Sequence, residues 1–199
     1  MRIFVIASLF FASLFANVNN CNNCNSVNYY NEYDIANALI RQAKASNTDP
    51  KIVYTLAKIE TGFNPLLIAF VTSSKKDYKF ENATTKKGRY KDKYIVSISS
   101  SSVETLSAIA KELIDSGYSV DVGLMQINSV NFEPDSVEDI FDLDTNIKKA
   151  ISVLAMCQNR YESTKNVIEC YNKGFMAKKS DDYYAKFKSS FIRDFGGVK

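Results

Sequence analysis

Apolar residues recur at helical spacing through most of this chain. In NEYDIANALIRQAKAS, Ile35, Leu39 and Ala43 share one stripe, with Ala36 and Ile40 beside them. Asn47-Thr48-Asp49-Pro50 then breaks the pattern and restarts it. Asp49 suits an N-cap and Pro50 the first helical position. The helix predicted from Pro50 to about Thr61 carries an apolar stripe through Val53, Leu56 and Ala57. Four residues beyond Leu56, the same stripe reaches Glu60.

The helical period is lost between Thr72 and Lys93. That stretch is polar and Lys-rich, and it predicts two extended runs around a turn at Lys86-Lys87-Gly88. Ser101 and Glu104 are spaced as a capping box. They open a helix with Leu106, Ile109, Ala110 and Leu113 inward, closed at Gly117. A short helix is expected near Val137 to Phe141. A longer one follows from Thr145 to about Tyr161, with Ile147, Ile151 and Leu154 inward. NVIECYNKG predicts another, stopped by Gly174. From Asp181, Tyr184, Phe187, Phe191 and Phe195 form an aromatic stripe that reads as a docking face. The pattern predicts a mainly α unit of about five helices, with a small β-hairpin insertion over 72–100.

The first 20 residues, MRIFVIASLFFASLFANVNN, change the reading of the whole chain. Arg2 precedes an apolar run from Ile3 to Phe15, and Ala16 is a suitable last residue before cleavage. The run is too short for a membrane span and gives way to Asn-rich chain, so residues 1–16 read as a signal peptide. The alternative is an uncleaved anchor. Residues 17–31 read as a flexible Asn-rich segment, 32–176 as the folded domain and 177–199 as a helical tail. Export points to the periplasm, with no stable membrane span after cleavage.

An exported chain is free to form disulfides. Of three connectivities for the four cysteines, the simplest is local: Cys21–Cys24 and Cys157–Cys170. The CNNC pair lacks the βαβ surroundings of a redox motif. A four-cysteine zinc site is the weakest reading, given the gap between the pairs. The net charge of +3 is too small to argue for nucleic acid. The chain has no histidine, which removes Ser-His-Asp, Cys-His and His-ligated metal chemistry. Proton transfer near neutral pH is left to a perturbed carboxylate, Lys, Tyr or Cys.

Glu60 is the first candidate. Burial disfavours the charged form and raises a carboxyl pKa, which suits a general acid. The competing reading is a Glu that serves an ion pair or a helix end. Two later segments bear on the choice. Gly123-Leu124-Met125-Gln126-Ile127-Asn128 presents amides that can donate and accept, as carbohydrate hydroxyl and acetamido groups require. Tyr171-Asn172-Lys173-Gly174 offers an aromatic face, an amide and a Gly.

In this order, Glu60-Thr-Gly-Phe-Asn-Pro-Leu-Leu-Ile, Val120-Asp-Val-Gly-Leu-Met-Gln-Ile-Asn and Tyr171-Asn-Lys-Gly resemble the lytic transglycosylases of the lysozyme-like fold. The likeness runs from about Asp34 to Gly174 and is greatest to the group encoded with type IV secretion and conjugation systems. It implies a soluble-lytic-transglycosylase domain acting on peptidoglycan glycan strands, with secretion or conjugation machinery as further partners. It implies neither cofactor nor metal. Glu60 takes the place of the single catalytic acid. Met125, Gln126 and Asn128 fall in the motif that lines the sugar cleft. Tyr171 and Asn172 match the pair that faces the acid. Thr61 replaces the usual Ser, keeping a hydroxyl and adding a methyl. The implied reaction cleaves the MurNAc-GlcNAc β-1,4 bond and leaves a 1,6-anhydro end. Asp121, a possible second carboxylate, keeps a hydrolytic muramidase open as an alternative. A non-catalytic glycan-binding or assembly protein on the same fold is the other.

Overall fold

The computed structural model describes residues 30–175 and 182–196. The expected signal peptide and the Cys21–Cys24 pair lie outside them. Helix α1 (Glu32–Ala45) begins at a true capping box: Asn31 accepts from the amides of Tyr33 and Asp34, and Asp34 accepts from the amide of Asn31. Helix α2 (Pro50–Thr61) is capped by Asp49, which accepts from the Lys51 amide, and Pro50 stands at its start.

Strand β1 (Leu67–Thr72) follows, then β2 (Thr84–Tyr90) and β3 (Lys93–Ser99). Helix α3 (Val103–Asp115) leads to two short strands, β4 (Val120–Val122) and β5 (Ile127–Asn128). Three 3-10 turns, Ser129–Asn131, Pro134–Ser136 and Glu138–Phe141, lead into α4 (Leu143–Arg160), α5 (Thr164–Lys173) and α6 (Asp182–Phe195). The strands form one antiparallel sheet in the order β2-β3-β1-β4-β5.

The expected hairpin is β2 and β3, and β1 joins it to the site-bearing strands β4 and β5. The sheet and the helix after it correct two details and add β1. Strand β1 was hidden because LIAFVT is apolar on both faces and shows no clean alternation. Lys86-Lys87-Gly88 is not the turn. It lies within β2, and the chain reverses at Lys91-Asp92, with Tyr90 opposite Lys93 and Lys91 at φ +54°. Burial sets that register: Val96 and Ile98, unexposed, share a face with Ile68 and Phe70 across β1. The second correction is a cap. Ser102, not Ser101, opens α3, accepting from the Thr105 amide at 3.0 Å, while Ser100 Oγ accepts from the Ser102 amide.

One face of the sheet, carrying Ile68, Phe70, Val96, Ile98, Val120 and Val122, is sealed in the core. The helices assemble with α1 against α2 and α4, α4 against α5, and α6 against α2 and α5. A disulfide joins Cys157 on α4 to Cys170 on α5, one of the two local pairs expected. The aromatic stripe of α6 does dock: Phe187 is buried, and Phe195 meets the Tyr54 ring of α2 edge-on. Among the described residues, no helix is long and apolar enough to cross a membrane.

Candidate active site

Glu60 stands in the last turn of α2. The chain leaves that helix through two left-handed residues, Gly62 at φ +63° and Phe63 at φ +69°. Asn64 Oδ1 then accepts from the Leu66 amide and turns the chain into β1. This abrupt exit leaves the Glu60 carboxyl at the edge of a cleft rather than under more helix. Gln126, Ile127, Asn128, Asn131, Val153, Tyr171 and Asn172 line the same cleft.

Burial pushes the Glu60 carboxyl up to about 7. Two opposing influences restrain it: a hydrogen bond from the Tyr183 hydroxyl, and the positive charge of Lys186. Both come from α6. Lys186 also donates to the Ile59 carbonyl at 2.8 Å, one residue before the acid. Its own pKa is lowered by burial, against the pull of Glu60.

The GLMQIN turn is built on one glycine and one buried amide. Gly123 lies at φ +79°, and a Cβ there would sit 2.3 Å from Asn146 Nδ2. Asn146, on α4, uses every side of its amide. Nδ2 donates to the carbonyls of Val122 and Ile140, and Oδ1 accepts from the Met125 amide at 2.8 Å. Gln126, at φ +50°, is turned into the cleft, with its amide donating to the Gly123 carbonyl.

The expected site residues divide into two groups. Gln126, Asn128, Tyr171 and Asn172 share the cleft with Glu60. Met125 and Thr61 stand behind it. Met125 is 1% exposed, and its carbonyl accepts from the Tyr171 hydroxyl at 3.0 Å. Thr61 donates to the Leu124 carbonyl at 2.9 Å, tying the end of α2 to the turn. Asn128 is itself anchored, donating to Asp121 and Ser119 at 2.7 Å.

Asp121 is buried beneath this layer, and burial pushes it up to about 7, aided by repulsion from Glu60. The Tyr171 hydroxyl is driven well above its ordinary pKa by burial and by both carboxylates, so it remains a neutral donor.

Tyr183, Lys186 and Asn146 were not foreseen. Tyr183 had a signal: it lies four residues before Phe187, on the inward stripe. Its neighbour Tyr184, three before Phe187, competed for the same role. Asn146 was a polar break in the stripe of Leu143, Ile147 and Ala150. Lys186 had no signal of its own among 25 basic residues.

Residues 37–192 match the family described as Transglycosylase SLT domain. The chain belongs to that family. The match takes in every cleft residue and most of α6. No curated protein and no solved structure matches the chain. The SLT domain has the lysozyme-like fold, here mainly α with a small antiparallel sheet. Its members act on peptidoglycan in the manner of lytic transglycosylases, which places their work outside the cytoplasm.

Proposed function

We propose that this SLT domain is a peptidoglycan lytic transglycosylase with Glu60 as its catalytic acid. One observation carries the reading: among the described residues a single carboxyl lines the cleft, and burial pushes its pKa up to about 7. Such a group holds its proton until it is needed and accepts one afterwards. Protonated Glu60 gives its proton to the glycosidic oxygen between MurNAc and GlcNAc, and that bond breaks. The sugar's own acetamido group stabilises the electron-poor anomeric carbon. Glu60, now ionised, takes the proton of the 6-hydroxyl, whose oxygen closes on that carbon. The product is a 1,6-anhydro end, and no water is consumed.

Tyr183 and Lys186 position the acid and stabilise it once ionised. Gln126, Tyr171 and Asn172 offer amide and hydroxyl contacts to the sugars, and Asn128, its amide engaged by Ser119, Asp121 and Val130, shapes the cleft wall beside them. Asp121 is less suited to a second catalytic role, because Asn128 covers it and it does not line the cleft. The Cys157–Cys170 bond accords with an oxidising compartment, as does an N-terminal signal peptide over residues 1–16, so the periplasm is the proposed site of action. The likeness of the three motifs to the type IV secretion group supports local wall opening for a secretion or conjugation apparatus as the biological role.

The test is mass spectrometry of muropeptides released from peptidoglycan. Wild type should release products one water lighter than hydrolytic ones. Glu60→Gln keeps the shape and lacks the transferable proton, so it should lower release by at least about a thousandfold. Reducing ends would shift the reading to hydrolysis and make Asp121→Asn the next variant. Undiminished cleavage by Glu60→Gln would refute the assignment of the acid.

A further inference from the structure

Helix α6 is held at both ends. Its far end lies against α2: Asp194 accepts from Lys58 at 2.7 Å, and Phe195 meets the Tyr54 ring. Its near end carries the two groups that act on the acid, Tyr183 and Lys186. That end is held from α5. Glu169 Oε1 accepts from the amide of Tyr184, the third residue of α6, at 2.7 Å. The first amides of a helix have no partner within it. Glu169 supplies one from another helix, and its negative charge favours that end of α6.

Glu169 also pairs with Lys173, one turn further along α5. An exposed pair at that spacing would add little to stability. These side chains are only 12% and 10% exposed, and burying two charges is costly unless both are well satisfied. The carboxylate divides its oxygens accordingly: Oε2 takes the ammonium, and Oε1 reaches out of α5 to α6. Tyr171 and Asn172 follow two and three residues later, at other angles around the same helix, and line the cleft. Burial first, then the Glu60 charge and, more weakly, that of Glu169, drive the Tyr183 hydroxyl well above its ordinary pKa, so it remains a donor to Glu60.

We propose that Glu169 is a positioning residue for the acid: by holding the start of α6 against α5, it sets the Tyr183 hydroxyl on Glu60. Its effect on rate rests on Glu60 being the catalytic acid, whereas the contact itself does not. Without the Glu169 carboxylate, α6 keeps its hold on α2 through Asp194 and Phe195, and Phe187 stays buried. The turn before Phe187 loses its hydrogen bond to α5, and Tyr183 is no longer fixed over the carboxyl. One side chain thus links the helix that lines the cleft to the helix that restrains the acid.

The test is a coupling read on the Glu60 carboxyl itself. Carbon NMR of protein labelled at the glutamate δ-carbon follows its titration, with the resonance assigned by its absence in Glu60→Gln. In the wild-type background, Tyr183→Phe should raise the Glu60 pKa. In the Glu169→Ala chain the same substitution should shift it far less, because the hydrogen bond is already lost. Glu169→Gln keeps an oxygen for the Tyr184 amide and should restore the full Tyr183→Phe shift. Lys186, Asp121 and Tyr171, the other titratable groups that interact with Glu60, are present in every chain. Muropeptide release should follow the same pattern: Glu169→Ala lowers the rate up to about tenfold, and adding Tyr183→Phe costs little more. Should Glu169→Ala fail to fold, Glu169→Met keeps the side-chain volume without the acceptor and is read in the same way. A Tyr183→Phe shift of equal size with and without the Glu169 carboxylate would overturn the proposal. So would a Glu169→Gln chain that behaves as Glu169→Ala does. The expected coupling, with no muropeptide released by wild type, would leave this contact standing and remove the catalytic reading.

Discussion

At the scale of single residues, the site is a balance of forces around one carboxyl. Burial raises the Glu60 pKa, while Tyr183 and Lys186 restrain it. Removing a restraint should raise the pKa further. Tyr183→Phe is therefore expected to move the alkaline limb of the cleavage–pH profile upward. The rate should fall up to about tenfold, because the acid also loses the bond that orients it. A limb that moved downward would contradict this account.

The same pKa has a consequence for stability. A carboxyl whose folded pKa exceeds its unfolded one favours folding at low pH. That advantage declines as pH rises from the unfolded value toward about 7, where the buried group must ionise. Glu60→Gln should thus raise stability by about 3 kcal/mol at pH 8 and change it little at pH 4. Thermal melts at the two pH values would check the difference.

At the scale of elements, the GLMQIN turn depends on Gly123 and Asn146. Gly123→Ala meets a left-handed φ and a 2.3 Å contact together, and should cost about 3 kcal/mol. Asn146→Ala leaves the Met125 amide and two carbonyls without their partner, a loss of similar size. Both would appear as a lower urea midpoint with an unchanged slope.

Elements of this kind also mark how far the sequence could be read. The amphipathic helices were legible because burial on one side imposes a period, and Asp49-Pro50 fixed the start of α2 to the residue. Most of the cleft was legible because Glu60, Gln126, Tyr171 and Asn172 are polar groups at places where packing alone would prefer apolar ones. Strand β1 was not, because LIAFVT is apolar on both faces and offers no alternation to detect. Tyr183 was not, because adjacent tyrosines on a helix differ by only 100° and the tertiary neighbour decides between them.

At the scale of the whole molecule, the cleft lies between helices and sheet, and its parts come from distant stretches of chain. The Cys157–Cys170 bond fixes α5, and with it Tyr171 and Asn172, against α4. It closes a loop with a sequence separation of 13, for which chain entropy gives about 3 kcal/mol. Reductant should lower the melting midpoint by several degrees. A chain with both cysteines changed to Ala should melt at the reduced value and no longer respond to reductant.

Helix α6 adds something that a static description leaves out. Tyr183 reaches Glu60 across 123 positions of sequence. Synthesis delivers the chain from its N-terminus, so the carboxyl emerges long before the helix whose Tyr183 and Lys186 reach it. In the unfolded chain it is an ordinary solvated carboxylate, ionised at neutral pH. The last segment to be made brings the hydroxyl and the ammonium that hold the buried group near 7, and a chain stopped before Tyr183 lacks both.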